Sequence, residues 1–323
     1  MTPPDTNKPA SALVPTRAAT QLATVELPAL PNQAARQLRT LALSGGLVSL
    51  VLVTYVIAFS IGIPLLVYVI GIGGVLLAIK ERRRVEHGNR IYEAAREDMR
   101  SGDIAAATQA VDEVLLHSGT SLRYAAVYVR LALLRGVLAL RRGQLQEARA
   151  RLLAVEATGW LGSFRISRQA TGEAYASLSI CGSVLGEVDD ARAWLERGRE
   201  VLDPSREHAI TPHKDDELDS SSLSIELAEA TLLAREDQHQ QLFALLQRLG
   251  HDKDNLLGRA LQLLQAYTLH RLSEGEDEYR GVFSSMPIEP LLANLRPGEL
   301  DFMAVHWPEL HAFMQARRLL ARD

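Results

Sequence analysis

The chain has 323 residues, 47% of them apolar and 5% aromatic, with a formal net charge of -4 at pH 7. That length holds about two ordinary domains and a sizeable core, and an Ala- and Leu-rich composition favours helix over the β-branched and aromatic diet of a sheet protein. A single cysteine, Cys181, excludes a disulfide framework and a cysteine-based zinc site, and the mildly acidic body is a poor match for a phosphate backbone, so no nucleic-acid partner is expected.

Residues 1–39, opening MTPPDTNKP and rich in Ala, Thr and Pro, carry no helical or strand periodicity and read as a disordered arm. From Thr40 to Ile79 there is no charged residue, and the run is bounded by Arg36 and Arg39 before it and by Lys80, Arg82, Arg83 and Arg84 after it. A bilayer core needs about 20 helical residues, so 40–79 has the length of a transmembrane helical hairpin, about 40–59 and 63–79, reversing at SIGIP with Gly62 and Pro64. One tilted span with a re-entrant piece is the alternative. Basic residues on both flanks favour two crossings with both ends cytoplasmic, as a multi-pass inner-membrane protein. In this reading the lipid bilayer is a partner, and Gly45, Gly46, Gly71 and Gly74 are helix-packing positions, against each other or against membrane helices of another protein. VIGIGGVLLA, 69–78, also resembles a dinucleotide-binding turn, but Leu76 stands where its third glycine is required and no strand precedes it.

No proline occurs between Pro64 and Pro204, as a stack of helices demands. Within that stretch a register recurs. Gly102 is followed by Ala107, Val111 and Val114, Gly143 by Ala148, Leu152 and Val155, and Gly186 by Ala191, Leu195 and Gly198. Seven positions before each glycine stands a small residue: Ala95, Gly136, Ser179. This pattern resembles the tetratricopeptide repeat, a two-helix unit with small residues where its helices cross and a glycine at its turn. The copies here are spaced more widely than that family's 34 or so residues.

The resemblance implies an all-α chain in which the hairpin is followed by an α-solenoid of antiparallel helix pairs. Repeats are expected over 80–204, a polar loop over 205–218, and further pairs with a C-terminal cap over 219–323, where Asp237 takes the place of a turn glycine. It also implies that the first helix of each pair lines a partner-binding groove. Carried over position by position, the groove residues are Asn89, Tyr92, Arg96 and Arg100, then Arg130, Leu133, Val137 and Arg141, then Glu173, Ala176 and Ile180. Arginines beside a tyrosine suit an acidic or C-terminal peptide.

Chemistry is otherwise scarce. His208 and His213 before Asp215, Asp216 and Glu217 are the only cluster with the flavour of metal ligands, and their spacing puts them on no common helical face, so a solvated loop is the expectation. There is no nucleophile motif and no phosphate loop. The expectation is therefore a membrane-anchored helical-repeat adaptor that binds a protein or peptide, with no catalytic residue, no metal and no cofactor. The alternative is a subunit or regulator of a membrane-embedded envelope-biogenesis or secretion complex, acting through the hairpin.

Overall fold

In a computed structural model the described residues are 64–117, 124–163, 166–202, 215–249, 256–274 and 277–321, with single positions 49, 53 and 56. Helices account for the order of the chain: α1 (Pro64–Ser101), α2 (Ile104–His117), α3 (Ala125–Arg141), α4 (Leu145–Ala157), α5 (Arg168–Leu185), α6 (Val188–Leu202), α7 (Asp215–Arg235), α8 (His239–Arg248) and α9 (Leu256–Glu274). Four short ones follow, α10 (Asp277–Phe283), α11 (Glu289–Leu292), α12 (Asp301–Ala304) and α13 (Pro308–Ala316). No strand occurs among the described residues.

Four of the connections close in the same way. Gly102, Gly143 and Gly186 have φ of +91°, +74° and +83°, and Asp237 has φ 56°. In each case the next residue's N–H reaches back five positions: Asp103 to the Asp98 carbonyl at 2.8 Å, Gln144 to Ala139 at 3.0 Å, Glu187 to Gly182 at 2.8 Å and Gln238 to Leu233 at 2.9 Å. This closure satisfies an orphan carbonyl at the helix end, and it needs a left-handed residue, which glycine supplies without a Cβ clash and aspartate tolerates. Five residues after each turn residue lies one that is wholly buried, Ala107, Ala148, Ala191 or Leu242. Seven before each lies Ala95, Gly136, Ser179 or Ala230, and a Cβ on Gly136 would stand 2.9 Å from Leu152 of the following helix. Small residues thus let the two helices of a pair approach closely.

Two apolar clusters fill the body. One runs from Tyr92 and Ala95 through α3 to Trp194, and the other from Ala139 and Leu145 through α7, α8 and α9 to the C-terminus. Arginines tie successive pairs together. Arg135 of α3 meets Asp112 of α2 at 2.7 Å, Arg149 of α4 meets Glu187 at 2.6 Å and Asp190 at 3.2 Å, and Arg192 of α6 meets Glu236. The C-terminal segment does more than close the end of the stack. Trp307 and Phe313 pack edge-on against Tyr267 of α9, while Phe302 and Val305 lie against the Gly143 turn, so the segment returns to the second helix pair.

The transmembrane hairpin is not supported, and the chain is corrected accordingly. The segment expected as the second span, 63–79, does not end at Ile79. It is the start of α1, which runs on unbroken through Lys80, Glu81, Arg82, Arg83 and Arg84 to Ser101 and joins the packed body. Only Pro64 to Ile79 of this helix is uncharged, less than the ~20 residues a crossing requires. Among the described residues no helix is long and apolar enough to cross a membrane. The multi-pass inner-membrane location falls with the hairpin. Gly74 is exposed, and a Cβ there would meet nothing within 4 Å. The arm at 1–39 and the first span at 40–59, with Gly45 and Gly46, lie outside the described residues, as does the loop holding His208 and His213. Asp215, Asp216 and Glu217 belong to the first turn of α7.

Candidate functional site

The first helices of three successive pairs, α1, α3 and α5, lie side by side, and their sequences explain why. α3 is apolar on nearly every side, AAVYVRLALLRGVLALR, and is buried between its neighbours, with Arg130, Arg135 and Arg141 as its only charged groups. α5 is made of small residues, with Gly172 2.8 Å from Leu202 at the position a Cβ would take, and it starts where the Ser167 hydroxyl accepts a hydrogen bond from the Ala170 N–H at 3.2 Å. Close helices with sparse polar residues leave those few side chains facing one another.

Tyr92 stands at the centre, only 3% exposed. The Arg130 guanidinium lies 4.1 Å from its ring centroid and that of Arg96 at 5.7 Å, both within cation–π range. Burial pushes the Tyr92 hydroxyl above its ordinary range, Glu173 adds to the rise, and Arg96 and Arg130 oppose it. Arg130 also donates to the Asn89 side-chain oxygen at 3.4 Å and pairs with Glu93 at 3.5 Å. Further along α3, Arg141 has its guanidinium 5.7 Å from the Phe302 ring. Loss of water around Arg141 pulls it down to about 10, and Glu173 draws it back up. Arg141 stands about three helical turns beyond Arg130 on α3, so it and Phe302 form a neighbourhood separate from that of Tyr92.

The residues named from the sequence divide into three groups. Tyr92, Arg96 and Arg130 come together, with Asn89 as a partner of Arg130, while Arg141 lies further along α3 at Phe302. Leu133, Val137, Ala176 and Ile180 are buried, between 0% and 4% exposed, and serve the core instead of a binding surface. Arg100 points to solvent and lies 3.6 Å from Glu97 one turn earlier, an exposed pair of little energetic weight. Sequence reading missed Phe302, because nothing in the local pattern says that a residue so far along the chain returns to α3.

It missed His239 as well. This side chain follows the left-handed Asp237, with its Nε2 3.4 Å from an Asp237 carboxylate oxygen and its ring set edge-on to Tyr267 at 5.8 Å. Burial lowers its pKa, Arg271 of α9 lowers it further, and Asp237 opposes both. A histidine whose folded pKa is depressed adds nothing above its unfolded value. Below about pH 6.5 the unfolded chain takes up the proton first, so stability is lost as pH falls toward the folded value. The thermal midpoint of the wild type should therefore fall more steeply between about pH 6.5 and 5 than that of His239→Gln. Parallel pH profiles for the two proteins would rule this out.

Cys181 is free and wholly buried, and burial drives its thiol up to about 12, so it is no nucleophile. Among the described residues no group of His, Cys, Asp and Glu is arranged to hold a metal ion. Tyr92, Arg96 and Arg130 set two guanidiniums beside one aromatic ring. This group contains no nucleophile with an adjacent base. No protein-family model, no curated protein and no solved structure matches this chain.

Proposed function

We propose that this protein is a non-catalytic adaptor, resembling a tetratricopeptide-repeat protein, that holds a segment of another protein on the shared face of α1, α3 and α5. The observation that carries this reading is the meeting of Tyr92 and Arg96 of α1 with Arg130 of α3, two guanidiniums within reach of one ring, with Asn89 and Glu93 beside Arg130. An aromatic ring with guanidiniums above it offers area, direction and charge-assisted donors at small entropic cost, the qualities that concentrate binding energy in a few residues. The recurrent turn at 102, 143, 186 and 237 supports the family resemblance by its hydrogen bonds, and the resemblance supports a binding role over catalysis.

The test is selection of a random peptide library displayed on phage against the full-length chain. Enriched peptides should bind wild type, lose about tenfold or more in affinity to Arg130→Glu, and bind Arg82→Glu unchanged, since Arg82 is exposed and pairs with Glu86 on its own helix. Failure to enrich any peptide, or equal losses in both variants, would remove the reading.

A further inference from the structure

We infer that the start of α1 docks on an anionic lipid surface, its apolar end immersed in one leaflet and the cations that follow it lying among the headgroups. This is attachment to one face of a bilayer and not the crossing set aside above, and it is independent of the face around Tyr92.

α1 joins the body at Val85, which packs against the first apolar cluster, and at Gly88, which is buried against Tyr124 and Val127. Before that point its apolar side chains lie in the open. Ile72, Val75, Leu76, Leu77 and Ile79 are 44% to 69% exposed. Successive residues of a helix stand about 100° apart, so the unbroken exposed run from Gly74 to Ile79 is apolar on every side of the helix. Lys80, Arg82, Arg83 and Arg84 come next, all exposed, with Glu81 as the one acid among them.

The shape of this surface selects its occupant. A peptide or a groove covers one face of a helix, whereas an end that is apolar all round calls for a medium that surrounds it. Charge argues against a second copy. Parallel pairing would set two basic clusters side by side, and antiparallel pairing would lay each cluster along the partner's Pro64–Ile79, which contains no acid. Anionic headgroups supply negative charge at the level of the cluster, and the arginine and lysine stems can lie along apolar surface with their charged heads in water. From Pro64 to Ile79 the helix rises about 24 Å. That is short of a hydrocarbon layer of about 30 Å, so the end lodges in the facing leaflet.

The test is co-sedimentation of the full-length chain with vesicles of phosphatidylcholine containing phosphatidylglycerol, against vesicles of phosphatidylcholine alone. The mixed vesicles should bind the chain about tenfold or more tightly than the neutral ones, and added salt should weaken that binding. Leu76→Glu with Leu77→Glu, and separately Arg83→Glu with Arg84→Glu, should each cost about tenfold or more, with the helical circular dichroism unchanged because all four side chains are exposed. Immersion is read from a polarity-sensitive dye on Leu77→Cys, which takes the label selectively because Cys181 is wholly buried. Its emission should shift to the blue on the mixed vesicles, while the same dye on Leu116→Cys, 82% exposed at the end of α2, should not shift. Equal binding to both kinds of vesicle, no binding to either, indifference to both pairs of substitutions, or a dye at Leu77 that stays in water would each overturn the inference. So would a dimer of the full-length chain that Leu76→Glu dissociates, because a second copy would then cover the apolar end.

Discussion

Tyr267→Ala should lower the free energy of unfolding by about 4 kcal/mol, the largest single loss we expect in this protein. Tyr267 is among the largest side chains buried almost completely, at 2% exposure in the middle of α9. Its ring meets His239 of α8 at 5.8 Å, Trp307 at 5.7 Å and Phe313 at 5.6 Å, all close to edge-on, the geometry that aromatic quadrupoles favour. Those partners come from separate elements, so the ring is where the C-terminal segment is fastened to the helix pairs. Truncation removes the buried area and leaves a void that rigid helices cannot close, and each term is costly. Urea unfolding followed by circular dichroism at 222 nm measures the loss, and Tyr267→Phe separates the ring from the hydroxyl. A loss from Tyr267→Ala below about 1.5 kcal/mol would mean the C-terminal segment does not depend on this ring.

Arg149→Ala should cost about 3 kcal/mol, through a different mechanism. The Arg149 side chain is 8% exposed and reaches from α4 to two acids at the start of α6, Glu187 at 2.6 Å and Asp190 at 3.2 Å. Removing the guanidinium leaves both carboxylates facing each other with their remaining access to water, 33% and 27% exposed, which keeps the penalty below that of a fully buried pair. Arg149→Met with Glu187→Gln and Asp190→Asn removes the stranded charges and should recover about half of the loss. If Arg149→Ala and the triple variant are equally unstable, the defect is lost packing and the ionic account is wrong. Because Arg149 links the second pair to the third, its loss should also reduce the cooperativity of unfolding, seen as a lower denaturant slope.

The helix pairs were readable along the chain because their determinants are local. A turn glycine, a small residue seven before it and an apolar residue five after it follow from the geometry of one helix folding back on the next. For the same reason Asp237 could be assigned to a turn without a glycine, and it adopts φ 56° there. Readings built on position within a family unit fared unevenly. Tyr92 and Arg130 do meet, but Leu133 and Val137 face the core, since α3 is covered on more than one side and the sequence does not say by what. The span at 63–79 went astray for a related reason. An apolar run shows its composition, whereas only the structure shows that α1 passes through the charged cluster after Ile79 without a break.

By itself, then, the sequence determined the helical class, the places where helices turn back, and the small residues at their crossings, since all of these depend on a few neighbouring residues and on backbone geometry. The tertiary structure alone decided which arginines are clipped to acids in the next pair, that Phe302 and Val305 return to the Gly143 turn, and that the Arg141 guanidinium lies at the Phe302 ring. Those are contacts between residues far apart along the chain. They are set by how whole helices pack against each other, and no local pattern of side chains encodes them.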